Sequence, residues 1–232
     1  MSELPERFPC TITTWDYIYG LCRRVSEQVR ADTFAPDVVV ALARGGWFAG
    51  RCMCDFLGLD DLTSLKVEHY VGTAARSGDP SVRYPLAEGS VRGKDVLIVD
   101  DIADTGGSLR RAESYVRSRE VAEVRTATLQ LLGSSAVTPT YIGEALDEWA
   151  WIVYPWNFIE DMSDLIAGVI QKDAVGSVAP AEIRRLLAEY HEIDPIAMEI
   201  AQPDRLEEVL TEMVRRGLLA EGDGGRYRLI PP

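Results

Sequence analysis

Three carboxylates and a glycine turn stand together in Asp100-Asp101-Ile102-Ala103-Asp104-Thr105-Gly106-Gly107-Ser108. The run Val96-Leu97-Ile98-Val99 precedes them, an aliphatic stretch of the kind that forms a strand buried on both faces. In an open α/β sheet, ligands bind beyond the carboxyl ends of the strands, which is where Asp100 and Asp101 fall. A Thr-Gly-Gly-Ser turn lets backbone N–H groups converge on an anion, and the helix it opens adds its N-terminal field. The pattern calls for a phosphate in the turn and a polyhydroxylated group against Asp100 and Asp101. Ordinary solvated residues before a capped helix would account for one carboxylate. Three beside two glycines repel an anion unless cations or hydroxyls intervene. A second candidate, Ala43-Arg44-Gly45-Gly46, follows another apolar run, Val38 to Leu42. Taken alone, it reads as well as a structural turn.

The elements that must position these residues follow from periodicity. Trp15, Ile18, Leu21, Cys22, Val25 and Val29 have helical spacing after Thr13 or Thr14 as N-cap, which predicts a helix to about Ala31. A strand over 37–42, the Gly turn and a helix over 47–57 come next. A second strand runs near 63–70, then a loop-like stretch over 72–90 with Gly72, Gly78, Asp79-Pro80, Pro85 and Gly89. A connection that long without periodicity tends to be functional. Strands are expected at 95–101, 124–132 and 149–154, with a helix from the Thr105–Ser108 turn to about Arg119. This alternation predicts an α/β fold, a mostly parallel twisted sheet flanked by helices. From about Ile170 the character changes. Helices over 180–190, 195–202 and 203–216 and a hairpin over 218–229 make a small winged-helix-like module. The expected domains are 1–168 and 169–232.

The strand, the acid pair and the Asp104–Ser108 turn resemble the phosphoribosyl-diphosphate (PRPP) signature of the type I phosphoribosyltransferases. The resemblance implies that Asp100 and Asp101 hold ribose hydroxyls, in part by way of Mg2+, and that Asp104, Thr105, Gly106, Gly107 and Ser108 take the 5′-phosphate. It implies a pyrophosphate loop at Arg44, Gly45 and Gly46, with a non-proline cis peptide at Ala43–Arg44. The segment Trp151-Ile152-Val153-Tyr154-Pro155-Trp156 is similar to the ending of purine enzymes of the xanthine–guanine type. There Trp151 would pack on the base and backbone near Ile152 would read its edge, with Ile102 completing the base-binding set. Asp104 would be the general base and Arg44 would stabilise the leaving group. The stretch 72–90 would be a hood, with Tyr70, Arg76 and Arg83 as its candidates. One departure stands out: those enzymes carry a Lys where this chain has Leu132. Either Gln130 or a backbone group substitutes, or the base is different. The resemblance covers roughly residues 10–165 and implies a magnesium-dependent purine phosphoribosyltransferase of salvage, working as a homo-oligomer (dimer or tetramer).

Composition narrows the alternatives. The 232 residues carry 24 Lys+Arg against 37 Asp+Glu, a formal charge of −13, which argues against general binding to nucleic acid or an anionic membrane. No stretch reaches the length of a membrane span. Four cysteines at 10, 22, 52 and 54 without a metal-ligand spacing suit free thiols in a reducing compartment, and a cytoplasmic location is expected. The rival class is a PRPP- or nucleotide-sensing regulator that reads DNA with the C-terminal module. Residues 171–232 hold eight basic and twelve acidic residues, the opposite of the basic footprint that DNA binding needs. Arg215, Arg216, Arg226 and Arg228 could still gather into a local patch.

Overall fold

The aliphatic runs become the centre of a six-stranded sheet. The structure, a computed structural model, describes residues 7–69, 80–173 and 176–230. In chain order the elements are β1 (Cys10–Ile12), α1 (Trp15–Ala31), β2 (Val38–Ala43), α2 (Gly46–Leu57), β3 (Leu62–His69), β4 (Pro80–Tyr84), β5 (Asp95–Ala103), α3 (Gly107–Arg117), β6 (Glu123–Leu132), β7 (Tyr141–Leu146), β8 (Trp151–Val153), α4 (Phe158–Asp173), α5 (Pro180–His191), α6 (Pro195–Ala201), α7 (Arg205–Arg215), β9 (Leu219–Gly222) and β10 (Arg226–Leu229). They fall into two compact units, Asp16–Trp149 and Ser2–Trp15 with Ala150–Pro232.

In the first unit the strand order is β4-β3-β2-β5-β6-β7. All pairs are parallel except β3 with β4. Strand alternation assigns the two faces. Val38, Val40, Leu42, Val96 and Ile98 pack with Leu109, Ala112 and Val116 of α3, while Val39 and Ala41 lie under Gly50 of α2. The central strands are buried on both faces, which is why they read as continuous apolar runs rather than alternating ones. The chain goes from β2 outward through β3 to β4, then returns to lay β5 on the other side of β2. The carboxyl ends of β2 and β5 therefore flank the topological switch point, where open α/β sheets bind ligands.

The stretch 72–90, expected to be loop throughout, contains β4. Ser81, Val82 and Tyr84 pair antiparallel with Glu68, Val67 and Lys66. Asp79-Pro80 and Pro85 bracket this short strand with turn signals, which hid it. Strand β7 has its own obstacle in Gly143, a residue that weakens strands. A Cβ there would lie 2.5 Å from the Leu129 carbonyl oxygen, so close approach of β6 requires the glycine.

The second unit is helical. The core includes Phe158, Met162, Ile166 and Val169 of α4, Ile183, Leu186 and Leu187 of α5, and Leu206, Val209, Leu210 and Met213 of α7. A two-stranded parallel sheet joins β1 to β8, Cys10 opposite Trp151 and Ile12 opposite Val153. The segment 149–154 thus yields a three-residue strand outside the main sheet. The break expected at 168 falls inside α4, whose apolar face packs among α5 and α7. The hairpin β9–β10 forms as expected, and Val178 bridges to Tyr227 beside it.

Candidate active site

Two loops separated by more than fifty residues in the chain meet at the switch point. The register that sets Ala41 opposite Val99 brings the ends of β2 and β5 together. The approach is close enough to exclude side chains. A Cβ on Gly45 would fall 1.8 Å from Asp101 Oδ2, and one on Gly46 would fall 2.6 Å from the Val99 carbonyl oxygen. The Ala43–Arg44 peptide is cis. Helix α2 begins at Gly46 and α3 at Gly107, so two helix N-termini follow directly from the strands that flank the crevice. The first-turn N–H groups and the dipoles of these helices favour an anion there.

The turn itself is fixed from below. Gly106 sits at φ +74° and caps α3, a conformation that L side chains rarely adopt. A Cβ on it would lie 2.7 Å from Ser135 Oγ and 2.8 Å from Val137 Cβ. The amide of Ala136 donates to the Thr105 carbonyl at 3.1 Å. Ser134 Oγ donates to Asp104, 2.9 Å from Oδ1 and 3.2 Å from the main-chain oxygen. The segment after β6 is therefore part of the site, although Gly133-Ser134-Ser135 reads in sequence only as a turn.

Asp100 and Asp101 engage the local backbone, accepting from the amides of Asp101 (3.0 Å) and Ile102 (2.9 Å). Burial pushes the Asp100 carboxyl well above the usual carboxylate range, and the neighbouring Asp101 charge adds to it. Two oxygen-rich side chains, one of them reluctant to ionise alone, suit a Mg2+ ion that takes one or two protein carboxylates and completes its shell from substrate oxygens and water. Among the described residues, no group of three or more His, Cys, Asp or Glu could hold an ion without such help.

Of the predicted residues, Arg44, Gly45, Gly46, Asp100, Asp101, Ile102, Asp104, Thr105, Gly106, Gly107 and Ser108 all lie at the carboxyl ends of β2 and β5, in the turns after them or in the first turns of α2 and α3. Ile102 is half-buried at the end of β5. Leu132 is buried at the end of β6. Gln130, the candidate substitute for the missing Lys, has its Nε2 engaged: it donates to Tyr17 Oη at 3.1 Å, and Glu144 Oε2 lies at 3.4 Å. Tyr17 in turn donates to Glu144. Arg83 lies on β4, where Glu68 accepts from it at 2.7 Å. Tyr70 and Arg76 lie outside the described residues.

Trp151 and Ile152 belong to the second unit. Trp151 and Val153 face the helical core, whereas Ile152 alternates to the other face of the strand. The Trp151 indole lines a cavity of about 220 Å3 that also meets Phe8, Asp161 and His191. In the same unit three of the four arginines that could have formed a basic patch are held by acids. Arg215 and Arg216 both pair with Glu212, and Arg226 pairs with Glu182.

Comparison with known proteins agrees with this geometry. Residues 11–158 match the family described as Phosphoribosyl transferase domain. The hypoxanthine-guanine phosphoribosyltransferase of Streptococcus pneumoniae is 33% identical over 69 residues, a match spanning 30% of this chain and 38% of that relative's length. The Schizosaccharomyces pombe protein of the same name is 25% identical over 62% of this chain and 87% of its own. Among solved structures, the purine phosphoribosyltransferase of Pyrococcus horikoshii superposes with a TM-score of 0.57 at 28% identity, covering 63% of this chain and 93% of that one. The xanthine-guanine-hypoxanthine enzyme of Helicobacter pylori shares the fold at TM-score 0.54 and 16% identity.

Proposed function

Because the chain belongs to the phosphoribosyl transferase domain family, we propose that it transfers the 5-phosphoribosyl group of PRPP to a purine base, a 6-oxopurine by preference, in purine salvage. The products are a nucleoside monophosphate and pyrophosphate. The observation that carries this reading is the close approach of Gly45 to the Asp101 carboxylate, which leaves no room for a Cβ and would bring an anion-binding loop and a ribose-binding acid pair into one crevice.

In this reading the amides of Thr105 to Ser108 and the N-terminus of α3 hold the 5′-phosphate. Asp100 and Asp101 take the ribose hydroxyls. Arg44, with the amides of Gly45 and Gly46, binds the diphosphate and stabilises it as it leaves. The C1′–O bond to pyrophosphate breaks while a C1′–N bond forms to a ring nitrogen of the base, through an oxocarbenium-like transition state. The proton lost from the ring nitrogen passes to the Asp104 carboxylate. Bound Mg2+, held through Asp100 and Asp101, would supply charge neutralisation to the diphosphate. Ile102, at the end of β5, is assigned to the base. The 28% identity to a purine phosphoribosyltransferase supports a purine. A buried Leu132 supplies no charge for an exocyclic oxygen, so backbone groups would read it.

A cytoplasmic, homo-oligomeric enzyme belongs to the same reading. No helix among the described residues is long and apolar enough to cross a membrane, and the four cysteines are free. The regulatory alternative is not favoured, because three of the four arginines it would use, Arg215, Arg216 and Arg226, are paired with glutamates.

The test is pyrophosphate release from PRPP and Mg2+ with hypoxanthine, guanine, xanthine, adenine, uracil and orotate in turn. Turnover with a purine is expected. Silence with every base alongside PRPP binding would overturn the enzymatic reading. Asp104→Asn is expected to cut kcat about a hundredfold or more with little change in PRPP affinity. Equal loss of both would remove the acid–base role.

A further inference from the structure

We propose that Ser134 is a positioning residue for Asp104, holding its carboxylate in the orientation from which it takes the proton of the base; this rests on the acid–base role proposed above. One hydroxyl contacts two acceptors of the same residue, Asp104 Oδ1 at 2.9 Å and the Asp104 main-chain oxygen at 3.2 Å. A single side chain thereby constrains both the backbone of the turn and the side-chain rotation of its acid. It occupies Oδ1 and leaves Oδ2 for the incoming base.

Ser134 is itself held from the sheet. Next to it, Gly133 N donates to the Leu146 carbonyl at 3.2 Å and Ser135 N to the Leu132 carbonyl at 3.0 Å. These bonds tie the segment to the ends of β7 and β6. On its other side the segment meets the turn again, through Ala136 N to Thr105 O at 3.1 Å and through the contacts that leave no room for a Cβ at Gly106. The turn that takes the 5′-phosphate and the acid beside it are thus templated by residues 134–137. Their positions are set by the sheet rather than by the ligand.

The division of labour within the template is what makes the proposal specific. Ala136, Ser135 and Val137 support the Thr105–Gly106 backbone, so their loss should weaken PRPP binding. Ser134 makes its shorter bond to the Asp104 carboxylate, so its loss should fall chiefly on turnover. A lost hydrogen bond to a charged group that leaves a half-buried carboxylate free to rotate corresponds to roughly a tenfold drop in kcat.

The experiment measures kcat and KM for PRPP, with the base of the six named above that turns over fastest, in wild type, Ser134→Ala, Ser134→Thr, Asp104→Asn and the Ser134→Ala/Asp104→Asn double variant. PRPP binding by calorimetry in the presence of Mg2+ is measured alongside. Expected are a kcat about tenfold lower in Ser134→Ala with PRPP KM and Kd within about twofold, and recovery of most of that loss in Ser134→Thr. Adding Ser134→Ala to Asp104→Asn should cost nothing further. Wild-type turnover in Ser134→Ala, a loss that appears in PRPP affinity instead, or a further loss in the double variant would each overturn the proposal. Wild-type turnover in Asp104→Asn, or none with any base, would instead bring down the catalytic reading on which it depends.

Discussion

Gly46 offers the sharpest test of how the crevice is built. A methyl group there would lie 2.6 Å from the Val99 carbonyl oxygen, 3.2 Å from Asp100 Cα and 3.3 Å from Asp100 Oδ1. The nearest two are backbone atoms of a central strand, paired on both sides and unable to move alone. An ordinary van der Waals approach is near 3.4 Å or beyond, so Gly46→Ala must push α2 away from β5 by most of an ångström. Overpacking of that kind costs about 1–3 kcal/mol, offset by about 0.5–1 kcal/mol from the greater helix propensity of Ala. From the middle of both ranges the net is about 1–2 kcal/mol, which for a chain of this size lowers Tm by about 2–8 °C. Because α2 carries the loop at Arg44–Gly45, the same displacement should weaken PRPP binding. Gly20→Ala is the control: it is exposed within α1 and a Cβ there meets nothing within 4 Å, so it should stabilise by about 0.5–1 kcal/mol. Thermal unfolding followed by circular dichroism, with calorimetric PRPP titration, reads both. A Gly46→Ala protein that melts with wild type or with Gly20→Ala, or that binds PRPP normally, would refute the packing argument.

Other consequences are open to direct measurement. Folded Asp100 holds its proton more tightly than the unfolded chain does. Its contribution to stability is therefore full below the ordinary value of 3.8 and lost as pH rises toward the raised one. Without Mg2+, Asp100→Asn should accordingly raise Tm at pH 8 but not at pH 3.5, while abolishing most turnover; equal Tm shifts at both pH values would contradict this. His191 is displaced the other way, lowered chiefly by burial. Its contribution is present above the ordinary 6.5 and lost as pH falls through the lowered value, so unfolding of the helical unit between pH 7 and 5 should flatten in His191→Gln. Tyr17→Phe removes the hydroxyl that accepts from buried Gln130 and should cost about 1–2 kcal/mol in urea titrations. Arg44→Ala should lower PRPP affinity tenfold or more, read by calorimetry.

How far the sequence reveals the molecule depends on the kind of order each residue obeys. β2 and β5 are legible because strands buried on both faces must be apolar throughout, and their ends then locate Arg44 and Asp100 without further information. β1 and β7 are not. Three residues after Pro9 carry no period, and Gly143 interrupts β7 for the sake of a neighbour's carbonyl. The unit boundary is hidden for a related reason. Composition changes near 170, but α4 starts at Phe158 and packs with α5 and α7, so the contacts rather than the composition divide the chain. In the site, Asp104 and its turn announce themselves by residue type. Ser134 does not, because a serine after a glycine matches any turn and only the fold brings it to a carboxylate thirty positions away.

The pairing of β1 with β8 has a consequence for how the protein is made. Cys10 to Ile12 leave the ribosome well before their partners Trp151 to Val153, which lie about 140 residues further along the chain. The sheet unit Asp16–Trp149 is complete in sequence before β8 is synthesised, and domains generally fold as units during synthesis. The β1 segment must therefore wait, unpaired, while everything between it and its partner folds. Deleting Cys10–Ile12 should then leave the sheet unit intact and damage the helical unit, because β1 is an edge that the later-made helical unit cannot do without.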